Sequence, residues 1–192
     1  MTIVVTSGDP SGIGPEIVQK AWICLKKHPL NEFFWIGDPL HLPDSNIPWQ
    51  QIEHPDQASK VFGDALPILV HKFAHPIKVG QHQPENAADV IKVIKKAVDL
   101  VKTNKAKALC TSPINKNVLM SGANFPYTGH TEFLANLDAI DNPVMMLACS
   151  KLKVVPVTTH LPLKDVPSQI SKKLLTETCL LYTSPSPRDS RK

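Results

Sequence analysis

Apolar and polar positions along the chain fall into short blocks whose spacing alternates between two patterns. Thr2 to Thr6, "TIVVT", is a β-branched apolar run that reads as a buried strand, and "PEIVQKAWICLKK" follows with helical spacing at Ile17, Ala21 and Cys24–Leu25. "EFFWIG" and "LPILV" read as two further strands, separated by a region around Pro39, Pro43 and Pro48 that predicts loops or short helices. The longest pattern is "PENAADVIKVIKKAVDLVKTN". There Ala87, Val90, Ile91, Ile94, Val98 and Val101 share a face, the lysines lie mostly elsewhere, and Pro84 suits the first helical turn. "KALCT" follows as a strand and "SPINKNVLMSG" as a short helix opening beside Ser112. "HTEFLANLDAI" reads as a helix, "PVMMLAC" and "KVVPVTTH" as strands, and "DVPSQISKKLL" as the start of another helix. Strand and helix alternate without an internal repeat, which predicts an α/β fold.

Composition narrows the function classes. With 192 residues and 42% hydrophobic content, the chain can bury a sizeable core. No apolar run approaches the roughly 20 residues of a membrane span, and the first ten residues have no basic leader, so neither membrane association nor export is expected; the cytoplasm is. The net charge of +4 comes from dispersed lysines, not from one basic block, which disfavours a nucleic-acid partner. Cys24, Cys110, Cys149 and Cys179 form no CxxC pair, so reduced and mostly buried thiols are expected, with no zinc ribbon or disulfide framework. Of the 21 basic residues, the only two arginines are Arg188 and Arg191. This change of usage within "CLLYTSPSPRDSRK" marks residues 179–192 as a non-native tail resembling translated vector sequence; the alternative is a Ser/Pro-rich disordered tail, and on either reading no packing is expected of it.

Four places carry candidate chemistry. In "TSGDPSGIGPEI", Gly8, Gly12 and Gly14 permit a sharp turn and close backbone approach, but the spacing matches neither GxGxxG nor a phosphate-binding GK[ST] loop, so a tight turn is as good a reading as an anion cradle. "TSPINK" places Ser112, Asn115 and Lys116 at a helix start, suited either to an anion or to a plain Ser112 cap. In "YTGHTEFLA", His130 and Thr131 project polar groups where a helix begins, which reads alone as a site or as a capping arrangement. His160 ends the strand of "VTTHLPL", at the edge where α/β proteins build sites.

Taken together, "TSGDPSGIGPE", "CTSPINKNVL", "FPYTGHTEFLA", "VMMLA" and "VTTHLPLKDV" resemble, in order and spacing, the 4-hydroxythreonine-4-phosphate dehydrogenase family over about residues 2–175. The resemblance implies a truncated α/β/α two-domain fold of the isocitrate/isopropylmalate dehydrogenase type. Residues 1–123 would form a first domain, incomplete without a C-terminal return, and residues 124–178 the start of a second. It also implies His130 and Thr131 as substrate-binding residues and His160 as one of three histidines on a divalent metal (Zn, Mg or Co). NAD or NADP would be the cofactor, the substrate a phosphorylated hydroxy amino acid, and the full-length protein a homodimer. The remaining metal histidines and the cofactor segment have no counterparts here, so the chain alone is expected to be inactive and prone to aggregate. Two alternatives stay open: a paralogous dehydrogenase of erythronate or threonate 4-phosphate, and a non-catalytic phosphate-binding module.

Overall fold

The computed structural model describes residues 2–28, 31–141, 143–159 and 161–183. In chain order the regular elements are β1 (Ile3–Thr6), α1 (Gly14–Leu25), β2 (Phe33–Gly37), β3 (Trp49–Gln51), α2 (Ala58–Val61), β4 (Leu66–Val70), α3 (Ala87–Lys102), β5 (Ala108–Cys110), α4 (Lys116–Ala123), α5 (His130–Leu137), β6 (Leu147–Ala148), β7 (Lys153–Val154), α6 (Val166–Gln169) and α7 (Lys172–Thr183). They form two compact units that divide after Ala139.

In the first unit, β3-β4-β2-β1-β5 make a parallel sheet, with Val4 beside Phe34 and Leu109, and Val5 beside Trp35 and Cys110. Successive side chains of a strand point to opposite faces, and here both faces are covered, which is why every residue of β2 is buried. On one face Val5, Phe33 and Trp35 pack with Val18 and Trp22 of α1, and the Trp22 indole donates to the Phe62 carbonyl at 2.8 Å. On the other face Val4, Phe34 and Ile36 pack with Val93, Ala97 and Leu100 of α3. The result is a three-layer unit with helices on both faces of a parallel sheet, in agreement with the expected α/β class.

Several elements differ from the sequence reading. The buried stripe of α1 is Val18 and Trp22, flanked by Ala21 and Leu25, while Ile17 and Cys24 face outward. α3 buries a second face as well as the expected one: Ala87, Val90 and Ile94 meet Val118, Phe125 and Phe133 of the segment that follows, while Val93, Ala97 and Leu100 meet the sheet. A helix between two apolar surfaces needs a wider stripe than a single-sided one. β3 has no signature in the sequence, because all three of its residues are exposed and carry no apolar alternation. The thiols are not fully buried: Cys24, Cys110 and Cys149 are exposed and Cys179 is half-buried. Cys110 is open because β5 closes the sheet as an edge strand.

The first compact unit runs to Ala139 and includes α5. The aromatic residues Phe125, Tyr127 and Phe133 stack edge-on or tilted at 5.0–5.1 Å and join the cluster on α3, which keeps α5 in the first unit.

In the second unit β6 and β7 are a two-residue antiparallel pair, much shorter than the strands expected there, followed by α6 and α7. α7 continues to Thr183, into the stretch 179–192 expected not to pack; Thr178, just before that stretch, is buried, and Cys179 is half-buried. Thr178 and Cys179 line a cavity of about 470 Å³ with Met146, Lys153, Val155 and Leu175. Among the described residues no helix is long and apolar enough to cross a membrane.

Candidate active site

Strand order places the reversal of winding beside β1, since β2 and β4 lie to one side of it and β5 to the other. Ligands of open α/β sheets bind at such a switch point, outside the carboxyl ends of the strands. The glycine loop after β1 and the "SPIN" loop after β5 meet there. Asp9 donates its backbone N–H to the Pro113 carbonyl at 2.9 Å, and Ser112 donates its N–H to Thr6 Oγ1 at 3.1 Å.

This contact decides what the glycine loop does. Gly8 has a φ of +66°, and a side chain added there would collide with the Pro113 carbonyl and sit 2.8 Å from Ser112 Cβ. Protein atoms fill the space at Gly8, so the glycine serves a tight turn and close packing of two loops, not an anion cradle there. Asp9 Oδ1 accepts from the Ser11 backbone at 3.0 Å, and Ser11 Oγ reaches Gln83 Oε1 at 2.6 Å. Burial holds the Asp9 carboxyl above its ordinary pKa, against the lowering influence of the Ser11 N–H and of His82.

The second loop sets up the helix that follows. Ser112 is buried and is not the cap; Asn115 is, its Oδ1 accepting from Val118 N at 3.2 Å. Lys116 is therefore the first residue of α4, exposed to solvent. Gly122, the residue before the last of α4, lies against the Pro84 carbonyl and Ala87 and so fixes α4 on the start of α3.

His130 and Thr131 open α5, with Gly129 as an N-cap that has no side-chain hydrogen bond. Phe133 anchors the helix in the core, while Thr131 is exposed. The His130 imidazole is half-buried; its Nε2 is shielded from solvent and has no hydrogen-bond partner among the described residues. Burial, and secondarily the Lys116 ammonium, lowers its pKa from 6.5, so at neutral pH the ring is neutral. Lys116 beside His130 is the neighbour that sequence reading did not identify. The two belong to separate motifs, and only the seating of α4 on α3 joins them.

His160 lies outside the described residues. Among the described residues no group of three or more His, Cys, Asp or Glu is placed to hold a metal ion. The geometry thus offers a neutral imidazole with an unused nitrogen, a hydroxyl and an ammonium, a set suited to binding a polar, anionic small molecule.

Residues 26–189 match the family model described as pyridoxal phosphate biosynthetic protein PdxA. The chain belongs to the PdxA family. It is 49% identical to 4-hydroxythreonine-4-phosphate dehydrogenase of Ruegeria sp. (strain TM1040), over 88% of this chain and 51% of that protein. With the enzyme of the same name from Roseobacter denitrificans it shares 45% identity, over 92% of this chain and 53% of that one. Among solved structures it is similar to a 4-hydroxythreonine-4-phosphate dehydrogenase from Burkholderia phymatum, with a TM-score of 0.84 and 30% identity, over 93% of this chain and 56% of that one. A terephthalate 1,2-cis-dihydrodiol dehydrogenase from Burkholderia xenovorans LB400, at 16% identity and a TM-score of 0.64, shares the fold. The chain spans about half the length of these PdxA relatives.

Proposed function

We propose that this chain is the N-terminal portion of an NAD- or NADP-dependent 4-hydroxythreonine-4-phosphate dehydrogenase of the cytoplasm, homodimeric at full length and with the two-domain architecture of isocitrate and isopropylmalate dehydrogenases. The reaction oxidises the secondary hydroxyl of 4-phosphooxy-L-threonine to give 2-amino-3-oxo-4-phosphooxybutanoate as NAD(P)+ is reduced. Loss of carbon dioxide from this β-keto acid then yields 3-amino-2-oxopropyl phosphate. The observation that carries the reading is the pairing of His130 and Thr131 at the mouth of α5, with His130 Nε2 unpartnered among the described residues, in a chain whose relatives bear that enzyme's name.

In this reading His130, neutral at working pH, uses Nε2 to bind a polar substrate atom, and Thr131 supplies a second contact through its exposed hydroxyl. Both sit on a helix held rigidly by Phe133, which fixes the substrate's orientation. A divalent ion, with His160 as one ligand, would supply Lewis-acid polarisation of the reacting oxygen. His160 lies outside the described residues, and the part proposed for His130 and Thr131 is to bind and orient the substrate. The 192-residue chain by itself is proposed to be inactive, because its match extends over only about half of the relatives' length.

The test joins residues 1–175 to the remaining sequence of the Ruegeria relative and measures NADH formation with 4-phosphooxy-L-threonine and a divalent ion. Turnover by the chimera, reduced at least about tenfold by His130→Ala or Thr131→Ala, supports the reading. Preferential turnover of erythronate or threonate 4-phosphate would replace it with the paralogous one. NADH production by the unmodified chain would refute its proposed inactivity.

A further inference from the structure

Lys116 is placed where its charge does not favour the helix it begins. It occupies the first turn of α4, in which there is no acidic residue, and a cation at a helix N-terminus opposes the macrodipole. The side chain is exposed and in no ion pair among the described residues. It extends instead toward the start of α5. A Cβ added at Gly129 would lie 3.7 Å from Lys116 Cε, 3.8 Å from its Nζ and 3.7 Å from Glu132 Oε2. The φ of Gly129 is 179°, extended backbone open to any residue, so what this glycine leaves is space bordered by the Lys116 ammonium and the Glu132 carboxylate. His130 follows Gly129 in the chain, its Nε2 has no hydrogen-bond partner among the described residues, and the Lys116 ammonium is close enough to act on the imidazole electrostatically.

We infer that Lys116 is a further substrate-binding residue, its ammonium taking an anionic oxygen, phosphoryl or carboxylate, of the molecule held by His130 and Thr131. The inference rests on the reading that this pair is the substrate site. A cation here supplies charge that a neutral imidazole and a hydroxyl lack, and it adds to the burial that disfavours the protonated form of His130. The arrangement fits an oxyanion next to a neutral polar group, as in a phosphorylated or carboxylated hydroxy acid. Charge-assisted hydrogen bonds are about twice as strong as neutral ones, so losing this one should weaken binding by about tenfold or more.

The experiment follows the His130 ring resonances of the whole 192-residue chain during titration with inorganic phosphate and, separately, with acetate, in wild type, Lys116→Ala and Lys116→Arg. The expected result is a saturable His130 shift in wild type, weakened about tenfold or more in K116A and largely retained in K116R. A Lys116-dependent response to phosphate alone assigns the phosphoryl oxygens, and a response to acetate alone assigns the carboxylate. Proximity has its own readout, since K116A should raise the titration midpoint of His130. Circular dichroism and melting should show K116A folded and no less stable than wild type. A wild-type shift that persists undiminished in K116A overturns the role of Lys116 and leaves the substrate site standing. Absence of any His130 response to either anion in wild type overturns the substrate-site reading and this inference with it.

Discussion

His41, His71 and His130 all have pKa values lowered from 6.5, chiefly by burial; Asp38 opposes the effect at His41 and Asp89 at His71, while Lys116 adds to it at His130. An imidazole that protonates less readily in the fold than in the unfolded chain favours unfolding once the unfolded form begins to take up protons. Stability is therefore complete above about pH 6.5 and declines as the pH falls below it toward the lower folded values. Melting temperatures measured from about pH 8 to 5.5 should be level and then drop, and His41→Gln combined with His71→Gln should flatten the drop. A melting temperature unchanged across this range would contradict the burial argument. Thiol chemistry gives an independent check on exposure. Cys24, Cys110 and Cys149 should react quickly with a thiol reagent under native conditions, with Cys179 slower; a single fast thiol would contradict the outward faces assigned to α1 and β5.

At the scale of elements, the seating of α4 and α5 on α3 builds the site, and Gly122 and Phe133 are its two anchors. An alanine at 122 would drive its Cβ into the Pro84 carbonyl. The clash is with backbone and no side-chain rotation relieves it, so Gly122→Ala should cost about 1–3 kcal/mol despite the gain in helix propensity. Phe133 is 3% exposed, in the cluster with Val118, Leu119 and Phe125, and Phe133→Ala should cost about 3–5 kcal/mol. Denaturant melts measure both. These anchors also show what a sequence can reveal. "FFWIG" and "LPILV" announce buried strands because both faces of a parallel sheet are covered, and "GHTEF" announces a helix start with polar groups at its mouth. The partnership of Lys116 with His130 was not legible, since it depends on where Gly122 sets α4, a contact between distant segments with no periodic signature. Asn115 takes the cap from Ser112 for a related reason: Ser112 is consumed by packing against Gly8, which local preference does not register.

Across the whole molecule, burial is distributed unevenly. The three apolar clusters lie within residues 1–139, whereas among the described residues of the second unit Thr178 alone is buried, and Leu147, Leu152, Leu163 and Leu180 are 57–87% exposed. Hydrophobic burial is the main term that offsets conformational entropy, so cooperativity should reside in the first unit. A polypeptide of residues 1–139 should melt in a single transition close to that of the 192-residue chain, while residues 140–192 alone should show none. The first unit still carries an exposed liability. β5 is an edge strand, and beside it Ile3, Val5, Ile17, Leu25 and Phe33 line an open apolar groove of about 360 Å³ that reaches Cys110. Unpaired edges next to apolar surface invite association. Light scattering of the 1–139 polypeptide should therefore rise with concentration, and a lysine on the exposed edge, Ala108→Lys, should suppress the rise without shifting the melt. If A108K scatters as strongly as the parent, association arises elsewhere on the surface and the edge is not its cause.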